Sequence, residues 1–427
     1  MNCYSCDKDN WFSLGDLSKE GEILVCKECG AVSYRVEPDA EKKMREFYRK
    51  EYRPDPGIGN LVTTNHKLQY IRVFLKDYLE KLGDTKIFFG DIGCATGYLP
   101  AFFKHLGHKA TGCEYTTSFR RFCEKWYGIP IPEELYSKRP YDMLSLYHVF
   151  EHMINPTSKL DGYISLLKDD GHFLISTPEW LDTLEEASGN KMQSFEILFP
   201  KPHINIFTKT SIKNVFNRVG LEIIKEDHIQ YGQTYLLKKG IKKDIVVEDY
   251  KEQIEKLKKT KESIECFKRN EFEKAVDVWP NFPEAWIDLL LNKNMKDPKK
   301  QSEIVQKAEA FVSKNARWRG AVGWWHFQHK RYDEALKSFS YVMDIKPNED
   351  TALSIGACLL ETGKLNEAFD VYNIAHSINP QKWTECMNFM CKIAGSIPTW
   401  DERAMQEIAN QAVSSAQKPE IDDKLFS

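Results

Sequence analysis

The chain has 427 residues, of which 42% are hydrophobic and 29% charged, and its formal net charge is −3. That bulk supports two or three folded domains and gives no global basic field of the kind that draws nucleic acid or an anionic membrane. No apolar run is long enough to span a bilayer, and the first residues lack a signal peptide's basic-then-apolar order.

Four of the 11 cysteines form two C-x-x-C pairs near the start, and the rest stand singly in apolar surroundings. A reducing cytoplasm is the expected compartment. Cys3-x-x-Cys6 and Cys26-x-x-Cys29 are separated by nineteen residues, with Gly30 after the second pair. Two thiolates three positions apart can chelate one face of a tetrahedral metal, and a second such turn closes it. The strand-like run Glu22–Val25 enters the second turn, which is the layout of a zinc ribbon over residues 1–36. A module of about thirty residues has too little core to hold itself, so structural Zn2+ has a physical task here. The alternative is two unrelated redox or free-thiol pairs. Four sulfur ligands leave no open position, so this metal is expected to be structural.

Residues 37–64 read as a charged helix from Pro38 to Lys50, then a Pro/Gly-rich loop, Arg53 to Gly59. The loop is either a lid over an active site, with Phe47, Tyr48 and Tyr52 on the substrate side, or a linker with aromatic anchors. Leu68, Ile71, Phe74, Leu75, Tyr78, Leu79 and Leu82 then recur at helical spacing up to Gly83, giving one face to a sheet.

Lys86 to Leu99 follows as Lys-Ile-Phe-Phe-Gly-Asp-Ile-Gly-Cys-Ala-Thr-Gly-Tyr-Leu. It reads as a buried strand, a glycine turn and the start of a helix. Asp91 falls at the carboxyl end of the strand, where open α/β sheets place ligands. Gly93 and Gly97 permit a tight turn and close backbone approach. Ala95 stands where the pyrophosphate fingerprint G-x-G-x-x-G has its second glycine, so the loop is D-x-G-x-x-x-G instead. After a helix to Leu106, Ala110 to Cys113 is a second strand ending at Glu114. That carboxylate either accepts both ribose hydroxyls of a nucleoside cofactor or is an ordinary strand-end acid. Gly128 to Ile131 reads as a short third strand, Tyr141 to Val149 as a fourth and His172 to Ser176 as a fifth. A helix from Ile212 to Val219 leads into an antiparallel hairpin, Leu221 to Ile229 and Gln233 to Lys238.

The D-x-G-x-x-x-G loop resembles the first motif of class I S-adenosylmethionine (SAM)-dependent methyltransferases. Tyr141-Asp142-x5-His148-Val149-Phe150-Glu151-His152-x3-Pro156, with Leu167-Lys168-x2-Gly171, looks like the segment after that family's fourth strand, one wall of its active site. Pro202-His203-Ile204-Asn205-Ile206-Phe207-Thr208 is similar to a histidine-containing strand of its small-molecule members. The likeness covers about 175 residues, Asn65 to Gly240. It departs at Ala95, and in lacking a clear acid after the third strand, where Glu133 or Glu134 would have to meet the adenine.

The resemblance implies a Rossmann-like, seven-stranded, mostly parallel sheet with an antiparallel last strand, and SAM as cofactor. It puts Asp91, Gly93, Cys94, Ala95, Gly97, Glu114, Tyr115, Tyr147 and His148 on the cofactor. Cys94 suits a small residue packed under the methionine moiety, not a nucleophile. Methyl transfer from a sulfonium is an in-line displacement, so the protein mainly aligns the reactants and excludes water. A hydroxyl or carbon-acid acceptor also needs a base, and His152 and His203 are the candidates. Similar sugar carbon-methyltransferases use a histidine matching His152, and several sugar-modifying enzymes carry a similar zinc module ahead of the domain. Either histidine alternatively only shapes the pocket.

Residues 241–262 are lysine- and glutamate-rich and read as a linker helix. Beyond it, Gly323, Tyr332, Ala335, Phe339 and Pro347 recur as Gly356, Leu365, Ala368, Tyr372 and Pro380, each thirty-three residues on. A weaker echo is Phe272-Glu273-Lys274-Ala275. This is similar to the tetratricopeptide repeat, so 263–427 is expected to be a short helical solenoid that binds a protein or itself. Trp318, Trp324 and Trp325 either line a binding face or fill the core between repeats.

The expected protein is a cytoplasmic SAM-dependent methyltransferase (65–240) acting on a small molecule, a nucleotide-linked or polymer-bound sugar by family analogy. Alternatives are a protein methyltransferase fed by the repeats, or a scaffold with a relic cofactor fold, against which Asp91, Gly93, Gly97 and Glu114 all stand. No Asn-Pro-Pro-Tyr-type tetrapeptide or basic stripe supports nucleic-acid methylation.

Overall fold

Short runs rich in apolar residues become the strands of one sheet. β4 (Phe88–Ile92) has β5 (Lys109–Cys113) on one side and β6 (Tyr141–Tyr147) on the other, and β7 (Leu167–Thr177) continues the parallel set. β10 (Gln233–Lys239) then pairs antiparallel with both β7 and β9 (Leu221–Asp227), closing the order β5-β4-β6-β7-β10-β9. The structure is a computed structural model describing residues 2–15, 21–37, 39–50, 68, 70–135, 139–178, 203–227, 233–292, 297–345 and 348–378. It divides into two units, Met1–Ile264 and Glu265–Ser427. The expected lid loop 53–59, Tyr52, Pro202, the hairpin's Ile229, both repeat prolines and the chain beyond Trp383 lie outside the described residues.

The expected α/β architecture is present, with a mostly parallel sheet and an antiparallel final hairpin. The sheet has six strands among the described residues rather than seven. The run Gly128–Ile131, expected as a strand, is not part of the sheet; just beyond it the Glu114 N–H donates to the Pro132 carbonyl at 3.0 Å. Pro130 and Pro132 have no N–H, so this run cannot build a ladder beside β5.

Helices cover the sheet as their apolar spacing dictates. Ile71, Phe74 and Leu75, followed by α2 (Lys76–Leu82), put their buried side chains into a core with Phe89, Leu99 and Phe103. The Phe89 and Phe103 rings stack at 3.9 Å. α3 (Tyr98–His105) leads away from β4, α4 (Thr117–Tyr127) from β5, and α5 (Pro156–Ile164) precedes β7. α6 (Lys209–Val219) starts at a capping box in which Thr208 and Ser211 bond each other reciprocally and ends at Gly220, at φ +74°.

The N-terminal cysteine module makes a second sheet: β1 (Trp11–Ser13), β2 (Ile23–Cys26), β3 (Val32–Tyr34) and then β8 (Asn205–Ile206). The fourth strand is thus supplied from nearly two hundred residues away, just before α6. Tyr4 fixes the junction: it is buried, donates to the Val32 carbonyl at 3.0 Å and lies edge-on to Phe207 at 5.2 Å. α1 (Ala40–Lys50) follows β3. Residues 241–249, expected as helix, are not helical. Asn214 on α6 pairs reciprocally with the backbone of Val246, and the Glu248 carboxylate accepts from Thr208 at 3.0 Å. These side-chain bonds replace the helical ladder, and helix begins only at α7 (Tyr250–Lys268).

Among the described residues the second unit contains helices and no strand: α8 (Phe272–Val278), α9 (Pro283–Leu291), α10 (Pro298–Val312), α11 (Ala316–Gln328), α12 (Tyr332–Ile345), α13 (Glu349–Glu361) and α14 (Leu365–Ile378). The last four are two tetratricopeptide-like hairpins with one geometry. A Cβ on Gly323 would lie 2.6 Å from the Phe339 ring, and one on Gly356 would lie 2.6 Å from Tyr372. Asn315 and Asn348 cap the first helix of each pair through the N–H groups of Trp318 and Thr351. Trp318 and Trp325 are core residues, whereas Trp324 is 45% exposed. No helix among the described residues is long and apolar enough to cross a membrane.

Candidate active site

Beyond the carboxyl ends of β4, β5 and β6 lies a cavity of about 1080 Å³. The β4 turn forms its floor. Gly93 takes φ +67°, and a Cβ there would come within 2.7 Å of Val149. Ala95 also adopts a positive φ, +47°, which a methyl side chain tolerates at some cost. Asp91, Gly93, Cys94 and Ala95 all line the cavity. Gly97 is not among the lining residues: at φ +79° it packs under α4, where a Cβ would sit 2.2 Å from Cys123 Sγ.

Asp91 is buried and accepts from Ser145 Oγ. Burial, reinforced by the nearby Glu114 charge and only partly offset by Ser145, pushes its carboxyl up to about 7. Glu114 is buried too. Its two oxygens accept the N–H groups of Ala95 at 3.0 Å and Thr116 at 2.8 Å, tying the β4 turn to the β5 turn. Each oxygen keeps a second lone pair for a cofactor hydroxyl. Burial next to these acids pushes the Cys94 thiol far up, so it stays a neutral packing group.

α1 covers one side. Glu41, Met44, Arg45 and Tyr48 line the cavity from one helical face, and Thr116 Oγ1 donates to the Tyr48 carbonyl at 2.9 Å. Arg45 pairs with Glu134 at 3.3 Å, while Arg49 and Arg120 both hold Glu133. The two acids considered for adenine recognition are therefore engaged in ion pairs.

The opposite wall grows from the end of β6. Tyr147 is buried, and His148 turns the chain at φ +55° while its N–H donates to the Ser176 carbonyl at 2.8 Å. One turn of 3₁₀ helix, Phe150–His152, follows. Glu151 is only 1% exposed, and its Oε2 accepts from Thr177 at 3.0 Å. Its Oε1 faces two imidazoles, His148 Nδ1 at 3.6 Å and His152 Nε2 at 3.7 Å. Burial alone would raise Glu151, but the His148 hydrogen bond and the charges of His152, His148 and His203 outweigh it and hold the acid at about 2. His203 comes from the segment just before β8 and meets His152 ring to ring at 4.7 Å. Burial lowers His203 to about 4, so it is a neutral imidazole near pH 7. The arrangement joins a nucleoside-sized cleft to a carboxylate–imidazole group able to manage a proton.

Residues 65–226 match a family model described as a methyltransferase domain. This segment is a methyltransferase domain. Comparison with curated proteins finds no match. Among solved structures, the chain is similar to magnesium protoporphyrin IX methyltransferase from Synechocystis PCC 6803 with bound SAH, at 14% identity over 46% of this chain and 97% of that one, TM-score 0.35. It is also similar to MamA of AMB-1, at 17% identity over 36% of this chain and 96% of that one, TM-score 0.30. A Pseudomonas aeruginosa PilF structure matches at 18% identity over 34% and 69%, TM-score 0.28.

Within the methyltransferase domain, the residues expected at the cofactor gather on one cavity, Gly97 apart, and Tyr115 and Tyr147 are among them. His152 and His203, distant in sequence, line the same cavity. Two contributors were not fully foreseen. On α1 only Tyr48 was among the residues expected beside the substrate, although positions 41, 44, 45 and 48 recur at three and four. Glu151 was visible only as part of the His152 motif, and nothing local distinguishes a buried acid there.

The four N-terminal cysteines also converge. Cys3 Sγ lies 3.6 Å from Cys29 Sγ, and Cys6 Sγ lies 3.5 Å from Cys26 Sγ. All four sulfurs fall within 4.8 Å of one another. Sulfurs about 2.3 Å from a common zinc ion stand roughly 3.8 Å apart in a tetrahedron. The donor set fits that ion with little movement.

Proposed function

We propose that this chain transfers the methyl group of SAM to a small, proton-bearing acceptor, a hydroxylated molecule such as a nucleotide-linked or polymer-bound sugar. The observation that carries the reading is one cavity lined on one side by Asp91, Gly93, Ala95 and Glu114 and on the other by Glu151, His152 and His203. Bound SAM would supply an electrophilic methyl on its sulfonium. Glu114 would take the ribose hydroxyls, and Gly93 lets backbone approach the cofactor. Tyr147 and His148 would wall the methyl donor. Acting as base, His152 would remove the acceptor proton, with Glu151 orienting its ring and stabilising the imidazolium. His203, driven down by burial, is the weaker base and the better neutral hydrogen-bonding partner. Arg45, Tyr48 and Lys159 give the acceptor side polar groups suited to a polyhydroxylated molecule.

The four cysteines would hold one structural zinc ion. The helical repeats would bind a protein or a second copy of this chain, with the exposed Trp324 as a contact residue. Incubating the intact chain with methyl-labelled SAM and a panel of sugar nucleotides tests the reading. Label should enter one acceptor class, and His152→Ala should abolish it. Transfer only to protein in a cell extract would move the acceptor assignment to the repeats.

A further inference from the structure

We propose that Glu151, His152 and His203 form a binding site for a divalent first-row metal ion on the acceptor side of the cavity. One oxygen of Glu151 and one ring nitrogen from each histidine fall within 4.8 Å of one another. Ligand atoms about 2.1 Å from a shared ion stand roughly 3.0–3.4 Å apart, and His152 Nε2 already lies 3.7 Å from Glu151 Oε1. Small side-chain rotations would close the remaining gap.

The surroundings are those of ligands held in place. Thr177 Oγ1 donates to the other Glu151 oxygen at 3.0 Å, leaving Oε1 turned toward the imidazoles. The Ile204 N–H donates to the Glu151 carbonyl at 2.9 Å, which fixes the segment bearing His203 against the turn bearing the other two ligands. His148 packs on the same carboxylate oxygen at 3.6 Å, where an outer partner orients a ligand. Two imidazoles and one carboxylate suit first-row divalent metals, and three protein ligands leave open positions.

Those positions would face the cavity and accept neighbouring hydroxyls of an acceptor. This use of the site, though not the site itself, rests on the methyl-transfer reading. A cation-bound hydroxyl loses its proton to water more readily. The resulting oxygen would attack the methyl carbon, the carbon–sulfur bond would break, and the products would be a methyl ether, the thioether SAH and one proton. With the ion bound His152 and His203 would serve as ligands, and the base role given to His152 above would belong to the ion-free site.

Mn2+ alone, added to the intact chain and followed by loss of the free-ion paramagnetic resonance signal, tests the site. This hard ion prefers nitrogen and oxygen to the four thiolates. We expect about one Mn2+ bound per chain, weakened about tenfold or more by His203→Gln and unchanged by His105→Gln on the exposed end of α3. SAH titration of each variant reports folding. Should His203→Gln lose SAH binding, His152→Asn makes the same comparison. No Mn2+ binding by a chain that binds SAH, or binding unchanged in His203→Gln, overturns the proposal. Site-dependent Mn2+ binding by a folded chain that ignores SAH would uphold the metal site and remove the methyl-transfer reading.

Discussion

The Ile204 N–H donates to the Glu151 carbonyl at 2.9 Å, while the Ile204 carbonyl accepts the Tyr34 N–H at the same distance. One peptide thus joins the cysteine module's third strand to the turn that carries the buried acid. Asn205 reinforces it by donating to the Met153 carbonyl at 2.7 Å, and Phe150 stacks on Phe207 at 5.1 Å. The N-terminal module therefore braces the wall that carries Glu151, and a metal held by its four cysteines should be felt there.

Protein purified without chelator should retain about one zinc ion resistant to mild dialysis, lost in Cys26→Ser. Stripping it should lower the unfolding temperature and impair turnover more than SAH affinity, because β3 is joined through β8 and Ile204 to the turn that carries Glu151. Metal analysis and thermal unfolding check this. Zinc-free protein with full stability would contradict it.

His152→Ala should lower turnover by roughly 10²-fold or more while leaving SAM affinity within about twofold. The side chain meets Tyr48, Glu151 and His203. Single-turnover rates beside equilibrium titration separate the two effects, and wild-type turnover would remove His152 from the chemistry.

Gly97→Ala should destabilise the fold by roughly 2 kcal/mol or more, through positive φ and the clash with Cys123. Adding Cys123→Ala should recover part of that loss by removing Sγ, while the backbone strain remains. Urea unfolding of the three variants gives the comparison. A Gly97→Ala protein as stable as wild type would show that the turn does not pack as described.

Stability should also depend on pH through Asp91. Its folded value, about 7, exceeds the ordinary 3.8, so between these values the folded chain holds a proton that the unfolded chain releases. Stability of the ligand-free protein should therefore fall as pH rises from about 4 to about 7 and level off above. The charge of Glu114 adds to the upward push on Asp91, and burial keeps Cys94, Cys113, Cys123 and Tyr98 around it neutral. Asp91→Asn should flatten the slope in urea unfolding at a series of pH values.

Much of this was legible in the residues. The strand–glycine turn–helix sequence at 86–99 and the strand-end acid at 114 follow from local pattern, as do the thirty-three-residue repeats, where Gly323 faces Phe339 and Gly356 faces Tyr372. Spacing grouped Gly97 with Gly93, yet the two glycines serve different neighbours, an α4 cysteine and Val149. Such a division depends on which helix returns over the turn. Long-range pairing was hidden for the same reason: β8 has two residues, too few for a period, and its partner β3 lies in another part of the sequence. The break at Gly128–Pro132 could be read from its prolines, whose missing N–H groups outweigh the apolar pattern.

Calorimetric titration of the intact chain with SAH, wild type beside Glu114→Ala, tests the central claim most directly. The account predicts saturable binding near one per chain, weakened about tenfold or more when the carboxylate that joins the Ala95 and Thr116 turns is removed. Absence of binding in folded wild-type protein, or an unchanged titration in Glu114→Ala, would contradict the cofactor site placed in this cavity.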